Sequence, residues 1–348
     1  MKLLLISVKS TVSRGGIATW TERFLDKCGA HGMSCDLVNI EAVGKRAEQG
    51  TAKRNLKDEF VRTRRIFKDL KSCLKNKRYD AVHLNSSCGS FGLFRDYLIA
   101  KRIKKKKLRL IVHFHCDIPY WIKSSASQKY LGKLLALSDE RLILCENSRV
   151  YLEKTYGVSS TKVPNFVDES SVLQSPKTIR ETLKKVMFVG RISEAKGAEE
   201  IYALARLFPE ISFCLIGDAS NAVLAWEKPD NITLTGGKPH DEVLKYLNDA
   251  DLFLFPSHSE GFSLALTEAM AMGVPAIATD VGANADMLAD GCGMVVSVGD
   301  VDAMADAIRA LSDPEQRRLM SERAVKKVRE QYATDVIVET FKKYYQGN

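Results

Sequence analysis

The sequence predicts an α/β protein of two doubly wound, Rossmann-like domains facing each other across a cleft. Three observations carry that prediction. Short apolar runs alternate with helical patterns twice over, once in residues 1–170 and again in residues 185–334. Several of these runs end directly in glycine: Gly190, Gly217 and the pair Gly236 and Gly237. Between the two arrays, residues 171–184 are polar and contain Pro176, the composition of a linker. A chain of 348 residues is long enough for two such domains.

Residues 2–8 read as a buried first strand rather than a signal peptide, because no small-residue cleavage site follows. A loop with Gly15 and Gly16 comes next, then a helix over residues 17–28. Strand, glycine pair and helix form the layout of a phosphate-approach loop, although a plain turn has the same look. A strand at 33–40 and a long basic helix at 53–78 follow. A strand at 80–85 leads to a helix at 91–105 whose end is strongly basic. The fourth strand, 108–115, carries His113 and His115 on one face. His115 lies nearer the carboxyl end, where open α/β sheets bind ligands, so it is either a ligand contact or a core histidine. A strand at 141–145 and a helix ending near 156 complete the first array.

The second array opens with a strand at 185–190. The loop after it holds Arg191 and Lys196, two cations placed to neutralise a diphosphate without a metal. Strands at 211–216 and 231–235 and a helix at 241–248 lead to the stretch most informative about chemistry. There, a strand at 252–255 ends at Pro256, and a polar loop runs to Gly261. A buried helix starts at Phe262, Ser263 and Leu264 and stops at Gly273. The free N–H groups at its start suit an anion, and Gly261 permits close approach. Glu260 precedes the helix, and Glu268 lies about two turns in, roughly 10 Å further along. A carboxylate repels phosphate, so each glutamate is expected to accept hydrogen bonds from hydroxyls flanking a diphosphate. A nucleotide sugar has that layout. Strands at 274–279 and 294–297 follow, then helices at 302–311, 314–332 and 335–345. Asp249 with Asp251, and Asp300 with Asp302, lack the companions of a metal site; Asp300 reads as a helix cap.

The net charge of +9 is unevenly spread. Residues 1–170 carry 33 Lys and Arg against 17 Asp and Glu, whereas residues 171–348 carry 19 against 26. Basicity in one half points to an anionic partner for that half: solvated helix faces and an anionic membrane surface are the competing readings. No zinc, helix-turn-helix or RNA-recognition signature supports nucleic acid. No apolar run approaches the ~20 residues that span a bilayer. The eight cysteines are scattered, with no Cys-x-x-Cys, and read as reduced thiols of a cytoplasmic protein rather than a disulfide framework.

Taken together, these residues resemble the retaining glycosyltransferases of family 4, which have the GT-B fold. The likeness is carried by Gly15 and Gly16, His115, Asn165 to Asp168, Arg191 with Lys196 and Gly197, and the run from Pro256 through Glu260 to Glu268. The resemblance implies a metal-independent transfer of a sugar from a nucleoside-diphosphate sugar, with uridine diphosphate as carrier. The acceptor would be a hydroxyl on a lipid-linked or growing surface polysaccharide, reached in the cytoplasm or at the inner face of the membrane. By the same resemblance, Gly16 approaches the donor from the N-terminal, acceptor-side domain, and His115 contacts the donor sugar. Arg191 and Lys196 bind the diphosphate, Glu260 holds sugar hydroxyls and Glu268 holds the ribose. The last helix, with Phe341, Tyr344 and Tyr345, packs back on the N-terminal domain. Two departures from the family pattern stand out: Ser263 where glycine is common, and Gly282, Ala283 and Asp286 where two glycines and a later glutamate are. An epimerase or phosphorylase of the same fold, or a non-catalytic nucleotide-sugar-binding subunit, are the alternatives.

Overall fold

In the computed structural model, which describes residues 1–10, 15–43 and 55–347, the apolar runs become two six-stranded parallel sheets. The basic residues at 45, 46, 53 and 54 lie outside the described residues. The chain divides into one unit of Met1–Asn165 with Thr334–Asn348 and a second of Phe166–Ala333.

The first unit runs β1 (Lys2–Ser7), α1 (Gly16–Cys28), β2 (Ser34–Asn39), α2 (Leu56–Asn76), β3 (Ala81–Ser86), α3 (Ser90–Lys105) and β4 (Arg109–Phe114). It continues through α4 (Ile118–Trp121), α5 (Ser125–Leu135), β5 (Glu140–Ile143), α6 (Glu146–Tyr156) and β6 (Thr161–Lys162). The strand order is β2-β1-β3-β4-β5-β6. Strands such as β1 and β3 are buried along nearly their whole length, as a sheet covered on both faces requires. The sequence pattern predicts no helix over residues 118–135. A signal for α5 is present in Ser124, whose hydroxyl accepts from the Ser127 N–H, and in the buried Leu131, Leu134 and Leu135.

The second unit runs β7 (Lys185–Val189), α7 (Ala198–Leu207), β8 (Ser212–Ile216), α8 (Asn221–Leu224), β9 (Ile232–Leu234), α9 (His240–Asn248) and β10 (Leu252–Phe255). After these come α10 (Leu264–Ala271), β11 (Ala276–Thr279), α11 (Asn284–Leu288), β12 (Met294–Val296), α12 (Val301–Ala310) and α13 (Pro314–Lys327). Its strand order, β12-β11-β10-β7-β8-β9, reverses direction between β7 and β10. Residues 171–184 pack as a strap on this unit rather than hanging free. The Leu173 N–H donates to the Ala271 carbonyl at 2.9 Å, and Arg180 pairs with Asp249 and Asp251. Asp251 also accepts from the Lys184 and Lys185 N–H groups, each at 2.9 Å, which explains its burial without a metal. Asp300 caps α12 by accepting from the Ala303 N–H at 2.9 Å.

The long helix expected at 314–332 is two elements, because α13 gives way to a π-helical turn at Val328–Tyr332. The last helix, α14 (Thr334–Gln346), lies in the first unit against α1. Phe341 and Tyr345 are buried there, while Tyr344 offers its carbonyl to Arg109 Nε at 3.0 Å.

Contrary to what the sequence pattern leads one to expect, the eight cysteines are not all reduced thiols. Cys88 and Cys116 are joined by a disulfide, and six thiols remain free. The two cysteines follow β3 and β4, which are paired neighbours (Ser86 opposite Phe114), so their loops meet at the same sheet edge. Their separation of 28 residues gives no hint of this in the sequence.

Candidate active site

Parallel strands put all their carboxyl ends on one edge, and the crevice where strand order reverses is the expected ligand position. In the second unit that crevice lies between β7 and β10, paired at Leu252 with Val186 and Phe253 with Met187. The loop after β7 carries Arg191 and Lys196; the loop after β10 carries Glu260 and Gly261. Four residues singled out from sequence therefore share one sheet edge.

The two loops are fastened to each other. Gly197 has φ +78°, and a Cβ there would lie 2.2 Å from the Pro256 carbonyl, so only glycine fits. The His258 N–H donates to the Ala195 carbonyl at 3.1 Å. Lys196 Nζ sits 2.5 Å from Glu260 Oε1 and 3.4 Å from the Ser259 carbonyl. The Arg191 side chain is exposed and has no ion-pair partner among the described residues.

Ser263 is the N-cap of α10; its hydroxyl accepts from the Leu266 N–H at 3.1 Å. The first-turn N–H groups of Leu264 and Ala265 have no intrahelical acceptor and carry the positive end of the helix dipole. Phe262 is buried edge-on against Tyr332, with ring centroids 5.4 Å apart. Glu268, one turn into α10 and nearly buried, has Oε1 3.1 Å from His240 Nε2. His240 escaped the sequence reading because it lies 28 residues away, at the first position of α9. Gly282 was noted only as a departure from pattern. With φ +58°, its missing Cβ would fall 2.3 Å from the Glu260 carbonyl, and the Ala283 N–H donates to the Gly261 carbonyl at 2.9 Å. The loop after β11 thus props the loop after β10 from behind.

The chemistry available here is a compact set of cations and amide hydrogens, with a carboxylate at each side. Among the described residues, no group of three or more His, Cys, Asp or Glu side chains is placed to hold a metal ion.

In the first unit, Gly15 and Gly16 open α1 after β1, and a Cβ on Gly15 would meet nothing within 4 Å. His115 lies just past β4, at the same sheet edge as the Cys88–Cys116 disulfide. It belongs to an aromatic cluster: its ring centroid is 4.0 Å from His113 and 5.3 Å from Trp20, and His83 lies 5.5 Å from His113. His83 Nδ1 meets the Tyr345 hydroxyl at 2.6 Å, while His83 Nε2, both His113 nitrogens and His115 Nε2 are buried without partners. Burial pushes His83 and His115 down to about 3, with the neighbouring His83 adding to the effect at His115, and holds His113 well below its ordinary range. All three imidazoles are neutral at physiological pH, which favours a packing role for His83 and His113.

Comparison with known proteins gives a consistent result. Residues 171–327 match the family described as Glycosyl transferases group 1, and residues 14–171 match Glycosyltransferase Family 4. An uncharacterised 41.2 kDa protein in the cps region of Klebsiella pneumoniae is 26% identical over 82% of this chain and 87% of its own length. N-acetyl-alpha-D-glucosaminyl L-malate synthase of Bacillus anthracis is 32% identical over 53% of this chain and 52% of its own. Among solved structures, Anabaena HepE in complex with UDP and glucose superposes with a TM-score of 0.73 over the full length of both chains, at 14% identity.

Proposed function

The chain belongs to the glycosyl transferases group 1 family, a glycosyltransferase of GT-B fold, and from that premise we propose that it moves a sugar from a UDP-sugar to a hydroxyl acceptor, with retention and without a metal. One observation carries this reading: Arg191, Lys196, the first-turn amides of α10, Glu260 and Glu268 are gathered at the switch point of the second sheet.

Breaking the bond between sugar and phosphate leaves negative charge on the diphosphate and positive charge on the ring. Arg191, Lys196 and the α10 amides stabilise the first, and such preorganised donors supply the largest share of catalysis in charge-separating reactions. Glu268 accepts from the ribose hydroxyls, with His240 fixing its orientation. Glu260 reads sugar hydroxyls next to the reacting carbon. In this reading the donor diphosphate replaces Glu260 as the partner of Lys196, and Glu260 turns to the sugar. Carbocation-like charge on the ring is stabilised on the leaving-group face, where the acceptor hydroxyl attacks.

The acceptor we propose is lipid-linked or a growing surface polysaccharide. No described helix is long and apolar enough to cross a membrane. Helices of the first unit instead carry exposed Phe60, Phe94, Tyr120 and Trp121, with Lys123 over Tyr120. Arg64 lies over Phe60, Lys101 over Tyr97, and Lys133 over Tyr97 and Tyr130. Aromatic rings paired with long basic side chains suit the interface of an anionic bilayer.

A thermal-shift panel of nucleotide sugars, run with and without EDTA, tests the reading. A donor at 100 times its dissociation constant adds about 2.7 kcal/mol of stability. A shift from one UDP-sugar that survives EDTA supports the proposal. Stabilisation by no nucleotide sugar overturns it, and a shift that returns only with magnesium overturns its metal-free form.

A further inference from the structure

Glu200 lies in the first turn of α7, three residues past Gly197, and is 6% exposed. Its Oε1 is 2.6 Å from His258 Nε2, and its Oε2 is buried with no hydrogen-bond partner. Burying a carboxylate is unfavourable unless a partner offsets the lost hydration. Among the described residues His258 is the side chain that meets Glu200. A carboxylate that serves only to start a helix stays in solvent at no such cost.

His258 lies between Pro256 and Glu260 in the loop after β10. Its backbone already donates to Ala195, next to Lys196. Its ring adds a second tie to the same segment, through Glu200. Lys196 completes the lacing from the other side, reaching the Ser259 carbonyl and Glu260. The two cradle loops are therefore stitched at 195–258, 200–258, 196–259 and 196–260. Donor binding takes Lys196 away from Glu260 in the function proposed above, which weakens the last of these ties. Neither Lys196 nor Glu260 supplies an atom to the Glu200–His258 tie, so that exchange leaves it in place.

We propose that Glu200 and His258 are a positioning pair for the transfer reaction, holding the loop after β10 on the loop after β7 while Lys196 changes partner from Glu260 to the donor diphosphate. The inference rests on the glycosyltransferase reading and adds two residues to it. Neither residue touches the reacting atoms; both act through the placement of Lys196 and Glu260.

The test uses the whole protein and the nucleotide sugar that the thermal-shift panel identifies. Glu200→Gln, His258→Ala, His258→Gln and the Glu200→Gln/His258→Ala double variant are compared for kcat, donor KM and Tm. A displaced catalytic group costs up to about 100-fold in rate, so a fall in kcat of about 10-fold or more is expected for Glu200→Gln and His258→Ala. His258→Gln, whose amide N–H still reaches Glu200, recovers part of that loss. The double variant is no slower than the worse single one, because the two residues act as one unit. Wild-type kcat in the folded single variants overturns the inference, as does a double loss equal to the product of the single losses. A fall in Tm with kcat unchanged also overturns it and leaves a purely structural tie. Should Glu200→Gln fail to fold, the two His258 variants decide, since that side chain is 38% exposed. Failure of the wild-type enzyme to use any nucleotide sugar overturns the function itself, a result distinct from an active enzyme indifferent to these substitutions.

Discussion

Lys196 Nζ and Glu260 Oε1 form an ion pair at 2.5 Å across a sequence separation of 64 residues. Both were singled out from sequence for separate tasks, one at the diphosphate and one at the sugar. In the structure they satisfy each other, with the glutamate largely buried and the lysine partly exposed. The pair holds the Lys196 ammonium against the loop that leads into α10. Lys196→Ala is expected to lower kcat by about 100-fold, the scale of one lost transition-state donor. Steady-state kinetics with the identified donor checks this; near-wild-type turnover would remove Lys196 from the mechanism.

Glu268 and His240 make the second prediction. If Glu268 accepts from the ribose, Glu268→Ala loses hydrogen bonds to a charged group worth about 1.5–3 kcal/mol, or roughly 10- to 100-fold in donor affinity. His240→Ala is expected to have a smaller effect of the same kind. Donor titration by calorimetry measures both. Equal affinity for the nucleotide sugar and a 2′,3′-dideoxyribose analogue in the wild-type protein would contradict the assignment.

The histidine cluster predicts acid sensitivity of the first unit. His83 and His115 are pushed down to about 3 and His113 well below its ordinary range, all by burial. The unfolded chain binds these protons below about pH 6.5, while the folded protein does not. Stability from these groups is therefore complete above about pH 6.5 and falls as the pH drops from there toward about 3. Each imidazole adds to the slope of stability against pH inside that window. Urea unfolding at pH 7 and pH 5, followed by tryptophan fluorescence from Trp20 in the cluster, should show the loss. His83→Phe is expected to flatten the dependence.

The Cys88–Cys116 disulfide predicts six alkylatable thiols in the unreduced, denatured protein and eight after reduction, read by mass spectrometry. Cross-linking a loop of this length stabilises by roughly 3–4 kcal/mol in the chain-entropy account. The Cys88→Ser/Cys116→Ser variant should unfold at lower denaturant. Equal midpoints for the two proteins would show that the bond does not stabilise the fold.

The aromatic and basic surface of the first unit predicts flotation with vesicles containing anionic lipid and not with neutral ones. Phe60→Ser combined with Lys101→Glu should reduce the bound fraction, and raised salt should do the same. Equal flotation with neutral vesicles would rule out the electrostatic part of the proposal.

The sequence alone determined the fold class, the places where chain turns back at a sheet edge, and the chemistry of the loops there. Buried strands and amphipathic helices have short periods that any window of ten residues displays. The carboxylates at Glu260 and Glu268 are likewise local. The cap at Ser124 is a local signal for α5, whereas the π-helical turn at Val328–Tyr332 has no periodicity to mark it. What only the tertiary structure decided is which loops meet. Strand order sets β7 beside β10 and β3 beside β4, and no pattern within a strand encodes its neighbour. Hence Lys196 against Glu260, His240 against Glu268, Glu200 against His258 and Cys88 against Cys116 became visible only once the sheets were assembled. Side-chain partnership is a property of distance in space, and long-range pairing in a parallel sheet separates that distance from position along the chain.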